Sequence, residues 1–305
     1  RDPVTRIDPE GRTAVMGDQR ISADALVVAL GAELAPEAVP GFQQHAFNVY
    51  AARDIPRAAQ ALTEFQGGKL LIGIFGVPYK CPPAPYEMAL LIDESLKSRG
   101  VRASVEVFTP QPMSLPVLGQ VGCDLIESRL ADQGITFLPN HKATAVESGE
   151  VIFANGRRPF DLLLGVPPHR PPAVVRESGL VGDSGWVAVN PRTLETQFRG
   201  VYAIGDVVQV AMANGKPLPK AGVFAEAMGE TVADRIAATF AGQEPEATFK
   251  GEGGCYLEVG AGQAMMVKGQ FLSEPEPEIM LTEASSQYLE EKRAFETQRL
   301  QTWFV

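Results

Sequence analysis

The chain has 305 residues, of which 45% are hydrophobic, and a formal net charge of −10 at pH 7. The apolar content is enough for a substantial core and for two domains. The acidic balance argues against a nucleic-acid partner and gives no bulk attraction to anionic lipid. No apolar run reaches the length of a membrane span and no signal peptide is visible, so we expect a cytoplasmic or peripherally membrane-associated protein.

The first part of the chain alternates short polar and apolar pieces. Over residues 1–24 this alternation, with glycines at the turns, predicts a small β-meander. A continuous apolar run at residues 25–30 predicts a buried parallel strand that ends at Gly31. After a linker with prolines, residues 50–65 are typical of a helix.

The central part alternates strands and helices in the manner of a Rossmann-like unit. We predict strands at residues 70–75 and 103–109, helices at residues 86–98 and 121–133, and further strands near Thr136, Val151 and Leu162. A stiff crossover at residues 164–172 follows.

The turn after the first strand of this unit is unusual. A nicotinamide-binding turn needs glycines and backbone N–H groups that approach a pyrophosphate. Here residues 76–85 read GVPYKCPPAP, and prolines remove those donors. The turn therefore predicts a loop that holds the thiol of Cys81, with a small buried hydrophobic cysteine as the alternative.

The last part of the chain supplies the remaining elements. We predict strands at residues 187–189 and 201–204, a helix at residues 221–240, a β-hairpin at residues 255–259 and 264–267, and a helix at residues 287–304. The pattern as a whole predicts an α/β protein.

A second motif lies at residues 193–206, TLETQFRGVYAIGD. Its strand delivers Gly205 and Asp206 at the carboxyl end, where open α/β sheets bind ligands. Glycine allows close approach of a cofactor, and the Asp206 carboxylate can accept hydrogen bonds from sugar-alcohol hydroxyls. The alternative is that Asp206 only caps a helix.

Downstream of this motif, Lys220 directly precedes a helix. A cation and a helix N-terminus together favour an electron-rich cofactor. We therefore assign Lys220, Ala221 and Gly222, together with Gly31, to a cofactor-binding site; the alternative for Lys220 is a solvated surface lysine.

Other polar residues carry weaker signals. His169, in PPHRPP, is a candidate for moving protons because imidazole titrates near neutrality, with a structural role as the alternative. Cys123 lies near the start of a predicted helix, and we assign it a structural role. Glu87 is expected to complement the dipole of its helix, with a general-base role as the second interpretation. No metal site is predicted.

Several motifs together resemble one known family. TLETQFRGVYAIGD resembles the second FAD-binding motif of flavoproteins with two dinucleotide-binding domains. KCPPAPYE, PPHRPP, LPKAGVFAE, GGCYLEVG and RLQTWF are similar to the sulfide:quinone reductase and flavocytochrome c sulfide dehydrogenase branch of the FAD-dependent pyridine nucleotide-disulfide oxidoreductases.

This resemblance implies two Rossmann-like dinucleotide-binding domains with a C-terminal β-hairpin and helix. The first domain is incomplete, because the family's N-terminal GxGxxG segment is absent and the chain opens at Arg1 without Met. The implied division is residues 1–64 (the remainder of the first FAD-binding domain), 65–168 (the second Rossmann-like domain), 169–242 (the return to the first domain) and 243–305 (the hairpin and helix).

The resemblance also implies the chemistry. Cys81 and Cys255 form a redox pair that sulfide attacks, FAD accepts two electrons, and a quinone-like acceptor removes them. Two alternatives stay open: a type II NADH:quinone reductase, whose cofactor turn should be rich in glycine, and a truncated FAD-free domain without catalysis.

The terminal helix carries apolar residues among mixed charges. We expect it to pack on the body of the protein or on a second subunit of a homodimer, with peripheral membrane contact as the alternative.

Overall fold

The computed structural model describes residues 2–304, which form two compact units. The first unit comprises Arg1–Glu33, His169–Gly253 and Gly269–Glu278, and the second comprises Leu34–Pro168, Gly254–Lys268 and Ile279–Val305. The four-segment division made from the sequence stays a prediction. Within the described residues, no helix is long and apolar enough to cross a membrane.

The second unit is built on a parallel sheet of five strands. In spatial order the strands are Phe47–Asn48, Leu162–Val166, Gly68–Ile74, Ala103–Phe108 and Thr136–Leu138. The central strands are nearly continuous apolar runs, because helices and loops cover both faces of the sheet. A Cβ atom at Gly73 would collide with the ring of Phe108, so only glycine fits there.

Helices cover this sheet: Phe42–His45, Ile55–Glu64, Ala84–Ser98 and Gly119–Asp132. The helices Ala84–Ser98 and Gly119–Asp132 begin two residues earlier than predicted. Proline is tolerated in a first helical turn because its missing N–H would have no partner there, so Pro85 lies inside the helix that begins at Ala84. The Arg99 guanidinium donates hydrogen bonds to the carbonyls of Leu62, Thr63 and Phe65 at the end of helix Ile55–Glu64.

The same unit carries a small antiparallel sheet of three strands: Ala143–Glu147, Glu150–Phe153 and Gly156–Pro159. The sequence predicted only the middle strand. Short 3-10 turns at Pro36–Ala38 and Pro116–Leu118 complete the unit.

The first unit begins with the predicted meander, an antiparallel sheet of Arg6–Asp8, Thr13–Met16 and Gln19–Ser22. Two parallel pairs follow: Leu26–Val28 with Val201–Ala203, and Val187–Ala188 with Val208–Gln209. A two-residue strand lies at His169–Arg170, another, Glu33–Leu34, begins at the last residue of the first segment, and the helices are Ala173–Arg176 and Gly222–Phe240.

The C-terminal part contains the predicted hairpin and helix, as strands Glu252–Gly260 and Gln263–Gln270 and helix Ser286–Trp303. A third strand, Glu278–Leu281, was not predicted. Leu289 is the helix residue that is buried, whereas Leu300, Trp303 and Phe304 are exposed. The first half of the helix therefore packs on the body, and packing of its distal half on a second subunit stays a prediction.

Candidate active site

Cys81 lies in the loop between the central strand Gly68–Ile74 and the helix Ala84–Ser98. Its backbone has the left-handed φ of +51°, and its side chain is exposed in the thiol form. The alternative of a small buried cysteine is therefore wrong. A left-handed non-glycine residue costs on the order of 1–3 kcal/mol, so the surrounding contacts must fix this conformation.

Two tyrosines supply those contacts. The Tyr50 hydroxyl donates to the carbonyl oxygen of Cys81 at 3.0 Å, and the Tyr79 hydroxyl donates to that of Pro82 at 2.9 Å. Burial, and to a smaller extent Cys81, raises the pKa of Tyr50 well above its ordinary value. Burial likewise raises the pKa of Tyr79. Both hydroxyls therefore stay protonated and keep donating.

Cys255 lies on strand Glu252–Gly260 in the same compact unit as Cys81, and it is half-buried. Burial raises the pKa of the Cys255 thiol to about 11, with smaller contributions in the same direction from Cys81 and Glu87, while Lys292 lowers it. The fold thus brings Cys81 and Cys255 within electrostatic reach of each other. At neutral pH the reduced Cys255 is a thiol.

Glu87 lies in the first turn of its helix, as the dipole interpretation requires. Its carboxylate also forms a salt bridge with Lys292 at 3.0 Å, and its Oε2 accepts a hydrogen bond from the backbone N–H of Glu258. No local sequence pattern indicates a role for Lys292 or Glu258, because the three segments lie far apart along the chain.

Cys123 is fully buried, and its Sγ donates to the carbonyl oxygen of Leu115 at 3.1 Å. Burial raises the pKa of the Cys123 thiol. Its helix begins at Gly119, so Cys123 lies in the second turn and gains little from the N-terminal dipole.

In the first unit, strand Val201–Ala203 leads into the 3-10 turn Gly205–Val207. Gly205 has a φ of +74°, which favours glycine. Asp206 lies inside the 3-10 turn and is not the N-cap residue of that turn or of the helix Gly222–Phe240, where Ile204 and Ala221 occupy the N-cap positions.

Lys220 is only 6% exposed, so the alternative of a solvated surface lysine is wrong. Its Nζ donates to the carbonyl oxygens of Asp206 at 2.7 Å and Val208 at 3.0 Å, and lies 3.4 Å from the centre of the Trp186 ring. Burial lowers the pKa of Lys220 to about 8, against a smaller opposing effect of Asp206. Lys220 thus fixes the turn that carries Asp206.

These residues line a small surface pocket. Its wall includes Gly205, Asp206, Lys220, Ala221, Phe224 and Met228. The first N–H groups of helix Gly222–Phe240 have no side-chain cap, and a Cβ at Gly222 would meet nothing within 4 Å. An uncapped helix N-terminus, a buried cation and an open approach fit the electron-rich ring of a reduced flavin.

The two other candidates lie in the same unit as this pocket. Gly31 follows strand Leu26–Val28 with a φ of +65°. His169 is 9% exposed and lies on the short strand His169–Arg170. His169 thus belongs to a different compact unit from Cys81 and Cys255.

No protein-family model matches the chain. It is 21% identical to the mitochondrial sulfide:quinone oxidoreductase of Mus musculus over 291 residues, which cover 90% of this chain and 63% of the relative. It is 26% identical to the sulfide-quinone reductase of Aquifex aeolicus over 255 residues, which cover 75% of this chain and 58% of the relative. The chain thus spans about three fifths of the length of these curated relatives.

Solved structures show the same fold. The sulfide:quinone oxidoreductase of Aquifex aeolicus matches with a TM-score of 0.82 at 22% identity, over 97% of this chain and 73% of that chain. This match confirms the α/β fold class.

Proposed function

We propose that this chain belongs to the sulfide:quinone reductase branch of the FAD-dependent pyridine nucleotide-disulfide oxidoreductases. On this premise, it oxidises sulfide through Cys81 and Cys255 and passes the electrons to a quinone-like acceptor. The observation that carries this proposal is the exposed, conformationally fixed Cys81 thiol with Cys255 in electrostatic reach. A proline-rich turn that lacks the GxGxxG glycines supports the same chemistry, because it does not suit a nicotinamide cofactor.

In the proposed reaction, hydrosulfide attacks the Cys81–Cys255 disulfide at the sulfur of Cys81. Access favours this sulfur, because Cys81 is exposed and Cys255 is half-buried. A sulfur–sulfur bond forms between hydrosulfide and Cys81, the Cys81–Cys255 bond breaks, and the electron pair of the broken bond stays on Cys255 as a thiolate.

Asp206, Lys220, Ala221, Gly222, Gly205 and Gly31 would hold FAD. When bound, FAD supplies a two-electron sink for reoxidation of the sulfur species and a route to the acceptor. Asp206 would accept hydrogen bonds from hydroxyls of the cofactor, while Lys220 holds the backbone of the Asp206 turn. We assign proton movement to His169, because a histidine side chain can both donate and accept a proton.

The partners follow from the same proposal: sulfide or another small sulfur compound, a quinone-like acceptor and no nucleic acid. We propose a cytoplasmic or peripherally membrane-associated protein. The exposed distal end of the terminal helix is available to a second copy of the chain in a homodimer or to a membrane surface.

The decisive experiment is the anaerobic visible spectrum of the purified protein before and after addition of sulfide. We expect an oxidised flavin band that sulfide bleaches in the wild type and in Cys123→Ser, and that persists in Cys81→Ser. Bleaching by NADH and not by sulfide would return the protein to the NADH:quinone reductases. A purified protein without any flavin band would favour the FAD-free alternative.

A further inference from the structure

A cluster of three charged side chains joins three elements of the second unit. Lys292 comes from the terminal helix, Glu87 from the helix that follows the Cys81 loop, and Glu258 from the strand of Cys255. The Nζ of Lys292 lies 3.0 Å from both carboxylate oxygens of Glu87 and 2.9 Å from Oε1 of Glu258. The three N–H donors of the ammonium thus face three carboxylate oxygens.

The cluster is more than a surface ion pair. The side chains of Lys292, Glu87 and Glu258 are 30%, 22% and 28% exposed, so solvent screens their charges less than those of exposed pairs. Burial alone would lower the pKa of Lys292, but its hydrogen bonds to Glu258 and Glu87 raise that pKa above its ordinary value. Lys292 therefore carries its positive charge throughout the neutral range.

The position of the cluster relates it to both cysteines. Glu87 lies in the first turn of the helix whose preceding loop contains Cys81, and Glu258 lies three residues after Cys255. Three residues of a strand span roughly 10 Å, and both Glu87 and Lys292 act electrostatically on the Cys255 thiol. The backbone N–H of Glu258 donates to Oε2 of Glu87 at 2.7 Å, which joins the two cysteine-bearing segments directly.

We propose that Lys292 is a positioning residue for the cysteine pair. From the terminal helix, it holds Glu87 and Glu258 together. It also keeps a positive charge near Cys255, where the thiolate forms when the disulfide breaks. The use of this thiolate in sulfide oxidation rests on the proposed function. The effect of Lys292 on the thiol itself does not.

The electrostatic signs make the proposal specific. Cys81 and Glu87 disfavour a negative charge on Cys255, and Lys292 favours it. Removal of the Lys292 charge would also leave Glu87 and Glu258 as two carboxylates without their common counter-ion. Both consequences act in the same direction, toward a less acidic Cys255 thiol.

The test is alkylation of the reduced protein with iodoacetamide between pH 7.5 and 9.5, followed at each cysteine by peptide mass spectrometry. Below its pKa, a thiol reacts in proportion to its thiolate fraction. In Lys292→Met we expect alkylation of Cys255 to slow severalfold, by less than the tenfold that corresponds to one pKa unit. In Glu87→Gln we expect it to accelerate, and in Lys292→Arg to stay near the wild-type rate.

A merely structural role would give a different pattern. Loss of packing exposes Cys255, and exposure accelerates alkylation in every variant that breaks the cluster. Slower alkylation in Lys292→Met therefore reports the charge. Arg293→Met is the matched control, because it removes the same charge from the next residue of the same helix, which is exposed, and we expect no change at Cys255.

Unchanged or faster alkylation in Lys292→Met would overturn the proposal. If this variant does not fold, Lys292→Gln removes the same charge with a polar side chain, and the same slowing is required. The experiment involves neither sulfide nor flavin nor quinone, so its failure is distinct from failure of sulfide to bleach the flavin band.

Discussion

At the scale of single residues, the charge state of Cys255 depends on its partner thiol. Cys81 is the second contribution, after burial, to the raised pKa of Cys255. We expect Cys81→Ser to lower that pKa and to accelerate alkylation of Cys255 at pH 8.5, by less than tenfold because the effect of burial remains.

The matched control for this prediction is Cys123→Ser. Cys123 is buried against Leu115 and does not contribute to the pKa of Cys255, so alkylation of Cys255 should keep the wild-type rate. An equal acceleration in both serine variants would show that loosened packing, and not the Cys81 charge, is the cause.

Because burial lowers the pKa of Lys220, this residue makes the free energy of unfolding depend on pH. Its pKa is about 8 in the folded protein, against an ordinary value of 10.5. Between these values the unfolded chain binds a proton that the folded protein does not bind, so the Lys220 contribution to the free energy of unfolding increases with pH. From pH 8 to 9.5 the increase is about 2 kcal/mol.

The measurement is urea unfolding of the wild type and of Lys220→Met at pH 7, 8 and 9.5. Cys255 contributes with the opposite sign above pH 9, because its folded pKa is raised. It contributes equally to both proteins, so the difference between them isolates Lys220. If the difference in the free energy of unfolding between the two proteins stayed constant with pH, the pKa of Lys220 would not be lowered in the folded protein.

The residue scale also shows where the sequence was informative. The prolines around Cys81 and the glycine before Asp206 are local signals, and they identified the loop and the turn. Lys292 has no local signal, because its partner Glu87 is 205 positions away along the chain. The burial of Lys220 also depends on Trp186, which only the folded chain brings beside it.

At the scale of elements, the terminal helix has one anchored half. Leu289 is 7% exposed and Leu300 is 53% exposed. We expect Leu289→Ala to lower the free energy of unfolding of the second unit by about 2–4 kcal/mol, because it leaves a cavity. The matched variant Leu300→Ala should change it by less than about 0.5 kcal/mol.

Chemical denaturation followed by circular dichroism measures both values. Equal losses for the two variants would mean that the distal half of the helix is also packed, for example against a second copy. In that case the loss for Leu300→Ala should depend on protein concentration.

Elements with a strong repeating pattern were predicted well, and those with short or mixed patterns were not. The apolar run after Gly68 and the helix around Ala89 give clear signals of a parallel strand and a helix. The strand Gly156–Pro159 contains two arginines and a proline, and its pairing with Glu150–Phe153 is what makes it a strand. Such pairing is a tertiary property that a local pattern does not contain.

At the scale of the whole molecule, the proposed disulfide would close a loop from residue 81 to residue 255, which contains most of the first compact unit and about half of the second. A cross-link over more than about 100 residues restricts the unfolded chain and stabilises the folded protein by about 5 kcal/mol in the chain-entropy description. We therefore expect oxidised wild type to unfold at a higher urea concentration than reduced wild type.

Cys81→Ser is the control, since its unfolding should not respond to the reductant. Peptide mapping without reductant identifies the linked pair. A Cys81–Cys255 link that leaves the unfolding midpoint unchanged would mean that strain in the folded state offsets the restriction of the unfolded chain.

The contact between Lys220 and Trp186 gives the protein an intrinsic fluorescent probe. The chain has two tryptophans, and Trp186 is 4% exposed while Trp303 is 59% exposed. A dissolved quencher such as iodide reaches the exposed indole of Trp303 and quenches its emission, whereas the emission of the buried Trp186 persists. Because an ammonium over an indole face perturbs its π-electrons, the remaining signal follows the charge of Lys220 without any added label.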